Sequence, residues 1–193
     1  MSDQPIIQRQ GATVVLAADV QRRLVKDCIA GKRAAQKQLY DACAPFIYGV
    51  IRRYLYNADA AQEVLNDTFY KVFTKIGQYN AQGPLEAWMR RIAINTITDH
   101  LRKYVKYEQE VPADAETIDA YVDNNAVSKL SYKELLALVH QLPDTHRLVF
   151  NLYVLEDMTH KEIAAELQIS EGNSRWHLND ARKKLKEKIT KMM

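Results

Sequence analysis

Apolar side chains recur at helical spacing along most of the chain. Leu24, Val25, Cys28 and Ile29 begin a three-to-four rhythm, which Ala35, Leu39, Ala42 and Cys43 continue past Gly31 as far as Pro45. Phe46, Val50, Ile51 and Leu55 predict a further helix, broken at Asn57-Ala58-Asp59. Asp59 is placed to cap the next helix, which carries Val64, Leu65, Thr68, Phe69, Val72, Phe73 and Ile76. Residues 78–83 form a short polar loop, and Pro84 suits the first turn of a helix with Leu85, Trp88, Met89, Ile92, Ala93 and Thr96 on its apolar stripe.

The rhythm stops at 108–128, a stretch with one Pro, an Asn124-Asn125 pair and no helical periodicity, which predicts a linker. The expected organisation is therefore a leader at 1–20, a helical domain at 21–107, the linker at 108–128 and a second helical domain at 129–193. In the second domain an amphipathic stretch at 130–142 stops at Pro143, and 144–155 presents Leu148, Val149, Leu152 and Tyr153. Thr159 with Glu162 three residues on is a capping box, followed by buried positions Ile163, Ala164 and Leu167. Gln168-Ile169 turns the chain, and Ser170 caps a longer helix whose Ser174, Leu178, Ala181 and Leu185 share one face. A short helix, a tight turn and a longer basic helix make the pattern of a helix-turn-helix. Arg175, Trp176, Asn179 and Lys183 lie off the buried stripe, where they can reach base edges, with Arg182 and Lys184 nearer phosphates. The competing reading is a solvated basic helix on a three-helix bundle.

Composition supports an all-α chain in two small domains: 193 residues, 47% hydrophobic, with 6 Gly and 5 Pro, too few for a turn-dense sandwich or barrel. The net charge of +3 is modest, but the charges are sorted along the chain. Residues 84–107 hold Arg90, Arg91, Arg102, Lys103 and Lys106 against Glu86 and Asp99. Residues 108–128 hold six acidic side chains and no Lys or Arg, and 171–193 hold seven basic against three acidic. No run of about 18 apolar residues and no signal peptide are present, so no membrane insertion and a cytoplasmic location are expected. The two cysteines, Cys28 and Cys43, lie far apart, and the five histidines share no ligand spacing. No metal, no cofactor and no catalytic set are expected.

Both halves carry longer motifs. Residues 61–69, Ala-Gln-Glu-Val-Leu-Asn-Asp-Thr-Phe, are similar to the A-E-D-[LV]-x-Q-[DE]-T-F run of the extracytoplasmic-function (ECF) sigma factors. Trp88-Met89-Arg90-Arg91-Ile92-Ala93-Ile94-Asn95 is similar to that family's W-L-x-R-I-A-x-N. Leu142-Pro143, Thr159-His160-Lys161-Glu162-Ile163-Ala164 and Ile169-Ser170-Glu171-Gly172 resemble its L-P, [ST]-x-x-E-I-A and [LI]-S-x-G segments. The resemblance covers nearly the whole chain after about Leu24. It implies a promoter-specificity subunit that docks on the β′ clamp helices and β flap of core RNA polymerase, opens the −10 element of promoter DNA and binds the −35 element as duplex. Many such factors are held inactive by an anti-sigma factor, which is a further implied partner.

By motif position, Glu63, Asn66 and Asp67 face polymerase, and Lys71, Lys75, Gln78, Tyr79, Asn80, Asn95, Arg91 and Arg102 belong to the −10 site. Tyr79 would stack on a flipped base, with Gln78 and Asn95 bonding base edges and the lysines holding phosphates; alternatively Tyr79 packs under its loop. Trp88, in line with Leu85 and Ile92, reads as core. The −35 set is Thr159, Lys161, Asn173, Arg175, Trp176, Asn179, Arg182 and Lys183. Several residues depart from the family pattern. Asn66 replaces Gln, Gln168 stands at a turn position that is commonly Gly, Asn173-Ser174 replace Thr-Val, Trp176 is large for a base-facing site, and Asp180 stands where a base would suit DNA. Two rival readings remain at this point: a helix-turn-helix regulator with an N-terminal sensing or dimerisation domain, and a helical adaptor without a nucleic-acid role.

Overall fold

A computed structural model describes residues 8–10, 13–15, 18–105 and 131–192. It divides into two compact units, Met1–Thr96 and Ile97–Met193. The linker expected at 108–128 lies outside the described residues, and the division by contacts falls earlier, within a continuous helix.

The first unit begins with a two-stranded antiparallel ribbon, β1 (Gln8–Gln10) and β2 (Thr13–Val15), with Gln8 opposite Val15. This minor element was not expected in the leader. Helix α1 (Ala18–Ile29) buries Leu24, Val25 and Cys28, in step with their spacing, and ends at Gly31, whose φ of 73° lets its N–H turn back to the Cys28 carbonyl at 3.0 Å.

Helix α2 (Arg33–Tyr54) runs unbroken through Pro45, where the sequence predicted a stop. Proline in a helix interior forfeits one backbone bond. Here Leu39, Ile47, Ile51 and Tyr54 are all fully shut off from solvent, and burying an aliphatic side chain is worth about 2 kcal/mol. Packing on both sides of the proline therefore outweighs its local cost.

Helix α3 (Ala58–Lys75) is capped by Asn57 rather than Asp59: the Asn57 side chain accepts from the N–H groups of Asp59 and Ala60 at 2.8 and 3.0 Å. A 3₁₀ turn (Ile76–Gln78) follows, and α4 (Leu85–Val105) starts after Pro84, whose carbonyl accepts from Ala87 and Trp88. Cys28 and Cys43 are buried, and burial, reinforced by Asp27 and Glu86 respectively, pushes their thiols up to about 11 and about 12. Both behave as small core residues with the reactive thiolate disfavoured.

The second unit holds α5 (Tyr132–His140), α6 (Asp144–Leu155), α7 (His160–Leu167) and α8 (Glu171–Met192). Ser131 and Thr159 each form a capping box, with Glu134 and Glu162. The carboxylates of Glu134 and Glu162 titrate lower than usual because of these bonds. Leu138, Leu142, Ala181, Leu185 and Ile189 make one core, with Val139 and Phe150 packed against it. The α7–α8 turn rests on Gln168, left-handed at φ 58° and ψ 42°. Among the described residues no helix is long and apolar enough to cross a membrane.

Candidate nucleic-acid and polymerase interfaces

In the first unit, Glu63, Asn66 and Asp67 sit together on the exposed face of α3, while Val64, Leu65, Thr68 and Phe69 are buried beneath them. The shortened Asn66 side chain is held by Gln62, whose amide donates to it at 3.2 Å. The same face continues to Tyr70, 73% exposed, which the sequence reading missed. Its signal was its place seven residues after Glu63, two turns along one face.

The α3–α4 connection gathers the residues assigned to the −10 site. Lys75, Gln78 and Asn80 are exposed on the last turn of α3 and in the loop, Lys71 is half-buried, and Arg91 and Asn95 are exposed one turn apart on α4. Asn80 accepts from the Gln82 N–H at 3.2 Å, and Ala81 next to it is left-handed at φ 57°. Arg102 lies further along α4, half-buried, with Asp99 at 3.2 Å. Tyr79 is half-buried. Its hydroxyl donates to the Gly83 carbonyl at 2.6 Å and accepts from Gln21 of α1 at 2.9 Å, and its ring lies 5.7 Å from that of Trp88, tilted by 50°. Trp88 is half-buried, so the core expected there is Leu85 and Met89, both fully buried, with Trp88 at its edge.

In the second unit the first turns of α7 and α8 open on one cleft of about 420 Å³. Asp157, Thr159, His160, Lys161, Glu171 and Arg175 line it. Helix N-termini attract anions through their unbonded N–H groups and dipoles, and Lys161 and Arg175 add cationic charge. The side chain of Thr159 is engaged in its capping box, whereas Arg175, exposed, rests 3.2 Å from Glu171. His160 was not among the predicted residues. Its ring stacks on Tyr153 at 4.8 Å, and its Nδ1 is 2.9 Å from Ser174 Oγ, tying α6, α7 and α8 together. Burial first, then Arg175 and Arg182, hold its pKa below the ordinary value.

Other −35 candidates are placed differently. Arg182 is half-buried with its guanidinium 5.6 Å from the Tyr153 ring centre. Trp176 is half-buried, with its ring 5.3 Å from His146 and 4.9 Å from His177. The large side chain at a position expected to face bases thus leans back onto α6. Asp180 is also accounted for: it comes within 2.9 Å of His146 Nε2 and 3.0 Å of Lys184 Nζ. Its charge is spent inside the unit. Asn173 and Asn179 are half-buried and Lys183 exposed along α8. Among the described residues no group of His, Cys, Asp and Glu could hold a metal ion.

Residues 39–106 match the Sigma-70 region 2 family and residues 132–185 the Sigma-70 region 4 family. The ECF RNA polymerase sigma factor SigM of Bacillus subtilis is 30% identical over 130 residues, 65% of this chain and 77% of the relative. The RNA polymerase sigma-H factor of Pseudomonas aeruginosa is 25% identical over 158 residues, 76% of this chain and 82% of the relative. Among solved structures, the co-crystal structure of the sigma factor RpoE in complex with the anti-sigma factor NepR from Bartonella quintana is similar over 80% of this chain and 96% of that chain, at 19% identity and a TM-score of 0.47. With residues 39–106 matching region 2, residues 132–185 matching region 4, and SigM alike across most of its length, the chain belongs to the ECF RNA polymerase sigma factors.

Proposed function

We propose that this sigma factor divides promoter recognition between its two units: residues around the α3–α4 loop open the −10 element, and the α7–α8 cleft holds the −35 element as duplex. The observation that carries this reading is the convergence of the first turns of α7 and α8 on one cleft, where Lys161 and Arg175 stand beside Asp157 and Glu171. On this reading a phosphate would displace Glu171 from Arg175 and bring base edges within reach of the same side chains. In the other unit, Lys71, Lys75, Gln78, Asn80, Arg91 and Asn95 supply the cations and amides that a displaced strand needs. Arg102, which falls in the second unit and donates to the Glu166 carbonyl at 3.3 Å, stands apart from this set, and Asn173, Asn179, Arg182 and Lys183 extend the duplex-facing side. Glu63, Asn66, Asp67 and Tyr70 form the surface for the β′ clamp helices, with the β flap as the contact of region 4. An anti-sigma factor is the regulatory partner. The protein acts in the cytoplasm without catalysis or cofactor of its own, and binds DNA weakly until polymerase adds its contacts.

The test is run-off transcription by core polymerase reconstituted with this protein, with transcript starts mapped on promoters varied at each element. Arg175→Ala is expected to weaken the use of preferred −35 sequences by about 1–3 kcal/mol while sparing −10 dependence. An equal loss on every sequence would reduce Arg175 to a phosphate contact, and no stimulation of transcription by the wild type would refute the reading.

A further inference from the structure

We propose that Gln21 of α1 is a positioning residue for promoter opening, acting through Tyr79 to hold the α3–α4 loop in the shape that captures a base. The inference rests on the −10 reading of that loop given above. It assigns Tyr79 the part of an internal strut and leaves base capture to its neighbours.

The phenol oxygen of Tyr79 is engaged in both of its capacities, donating at 2.6 Å to Gly83 and accepting at 2.9 Å from Gln21. The Gly83 bond joins the two ends of a five-residue loop, 79–83, whose middle is strained by the left-handed Ala81. The Gln21 bond ties that closed loop to a helix 58 residues earlier in the chain. The Trp88 ring lies 5.7 Å from that of Tyr79, tilted by 50°. A tyrosine that stacked on an extruded base would need its ring free to meet it, and would have little use for two hydroxyl partners.

Asn80 and Gln82 are exposed in this loop, Gln78 is exposed just before it, and Asn95 is exposed on α4. These amides can bond base edges only while the loop keeps one conformation. A loop that must be rigid when the strand arrives gains from bonds made in advance, because ordering it at that moment would slow capture. Gln21 precedes the residues that match region 2, which begin at 39, so this brace comes from outside the matched segment.

The test uses full-length protein in holoenzyme, with opening followed by a fluorescent base analogue in the −10 element and promoter binding measured separately. Tyr79→Phe keeps the ring and removes the hydroxyl, and Gln21→Leu removes the donor at similar volume. Gln21→Leu, which loses one hydrogen bond, is expected to slow opening about threefold to tenfold, and Tyr79→Phe, which also loses the Gly83 bond, at least as much. Polymerase affinity and initial promoter binding should stay unchanged. The double variant should be no slower than the slower single one, since both break one link. A promoter carrying a pre-melted −10 bubble should restore wild-type rates. Wild-type opening by Tyr79→Phe together with severe loss in Tyr79→Ala would overturn the brace and return Tyr79 to base stacking. If Gln78→Ala, Asn80→Ala and Asn95→Ala all open promoters normally, it is the −10 reading itself that fails.

Discussion

In the first unit, Met1–Thr96, the side chains shut off from solvent are almost wholly apolar, and the buried polar ones among the described residues are Thr68 and Thr96. Each returns its hydroxyl to the carbonyl four residues back, Val64 at 2.7 Å and Ile92 at 2.8 Å. In residues 131–192 the buried set includes Thr145, His146, Arg147, Asn151, Ser174 and His177. Arg147 alone donates to the carbonyls of His140 and Leu142 at 3.2 and 2.9 Å and pairs with Asp144. The first unit is held by non-directional packing that tolerates a proline in mid-helix. In the second, charged and hydrogen-bonding contacts fix the spacing of α6, α7 and α8. A helix-turn-helix must present side chains to DNA at a set angle, and directional contacts hold an angle better than aliphatic packing does.

The contrast can be broken by substitution. Ile51→Ala, at a fully buried site of α2, is expected to lower stability by about 2–5 kcal/mol, the range for truncating a packed aliphatic side chain. Urea unfolding followed by Trp88 fluorescence measures it. A loss below about 1 kcal/mol would mean that the first core is looser than its burial implies.

Acid should separate the units next. His177 is 2% exposed, and its pKa is held down to about 4 by burial first and by His146 next, with Asp180 opposing them. The unfolded chain takes up this proton near its ordinary value of 6.5, while the folded chain refuses it until about 4. The unfolded state therefore binds more protons in that window, so this stability is complete above 6.5 and is lost as the pH falls towards 4. Between pH 7 and 5 the loss is on the order of 2 kcal/mol. Trp176, whose ring is 4.9 Å from His177, reports it in a Trp88→Phe background, and Trp88 reports the other unit in a Trp176→Phe background. The Trp176 signal should change at the higher pH. Coincident transitions would erase the distinction between the two cores.

Much of this was legible in the sequence because helices announce themselves by period. The stripes of α3, α4, α7 and α8 and the Thr159 capping box follow from spacing alone, and the family motifs supplied the roles. What spacing could not show was which long-range contact a polar side chain would choose. Trp176 and Asp180 occupy positions that a helix wheel turns towards DNA, yet His146 on α6 draws both inward. Tyr79 looked free because its partner Gln21 lies 58 residues away. The continuity of α2 through Pro45 was hidden for a similar reason, since local propensity says stop and tertiary packing overrides it.

Asp180→Asn probes the second unit's polar core more gently. Losing the carboxylate beside His146 and Lys184 is expected to cost about 1 kcal/mol, because Asp180 is partly solvated. Removing a negative charge from the basic helix should at the same time tighten salt-dependent binding to non-specific duplex. The pairing of weaker folding with stronger DNA binding is the outcome to look for. A variant that loses both would place Asp180 in support of the DNA-facing surface.

The smallest expected effect concerns the turn itself. Gln168 adopts φ 58°, a left-handed geometry that costs a residue with a Cβ about 1–2 kcal/mol. Glycine removes that strain but brings about 0.5–1 kcal/mol of extra chain entropy to the unfolded state. The two terms leave Gln168→Gly more stable by about 0.5 kcal/mol, read as a small rise in the urea midpoint. The Gln168 N–H already closes the turn on the Ala164 carbonyl, a backbone bond that glycine keeps. A fall in the midpoint would therefore assign the difference to the Gln168 side chain, adding a polar contact to the unit already held by such contacts and widening the contrast with the first.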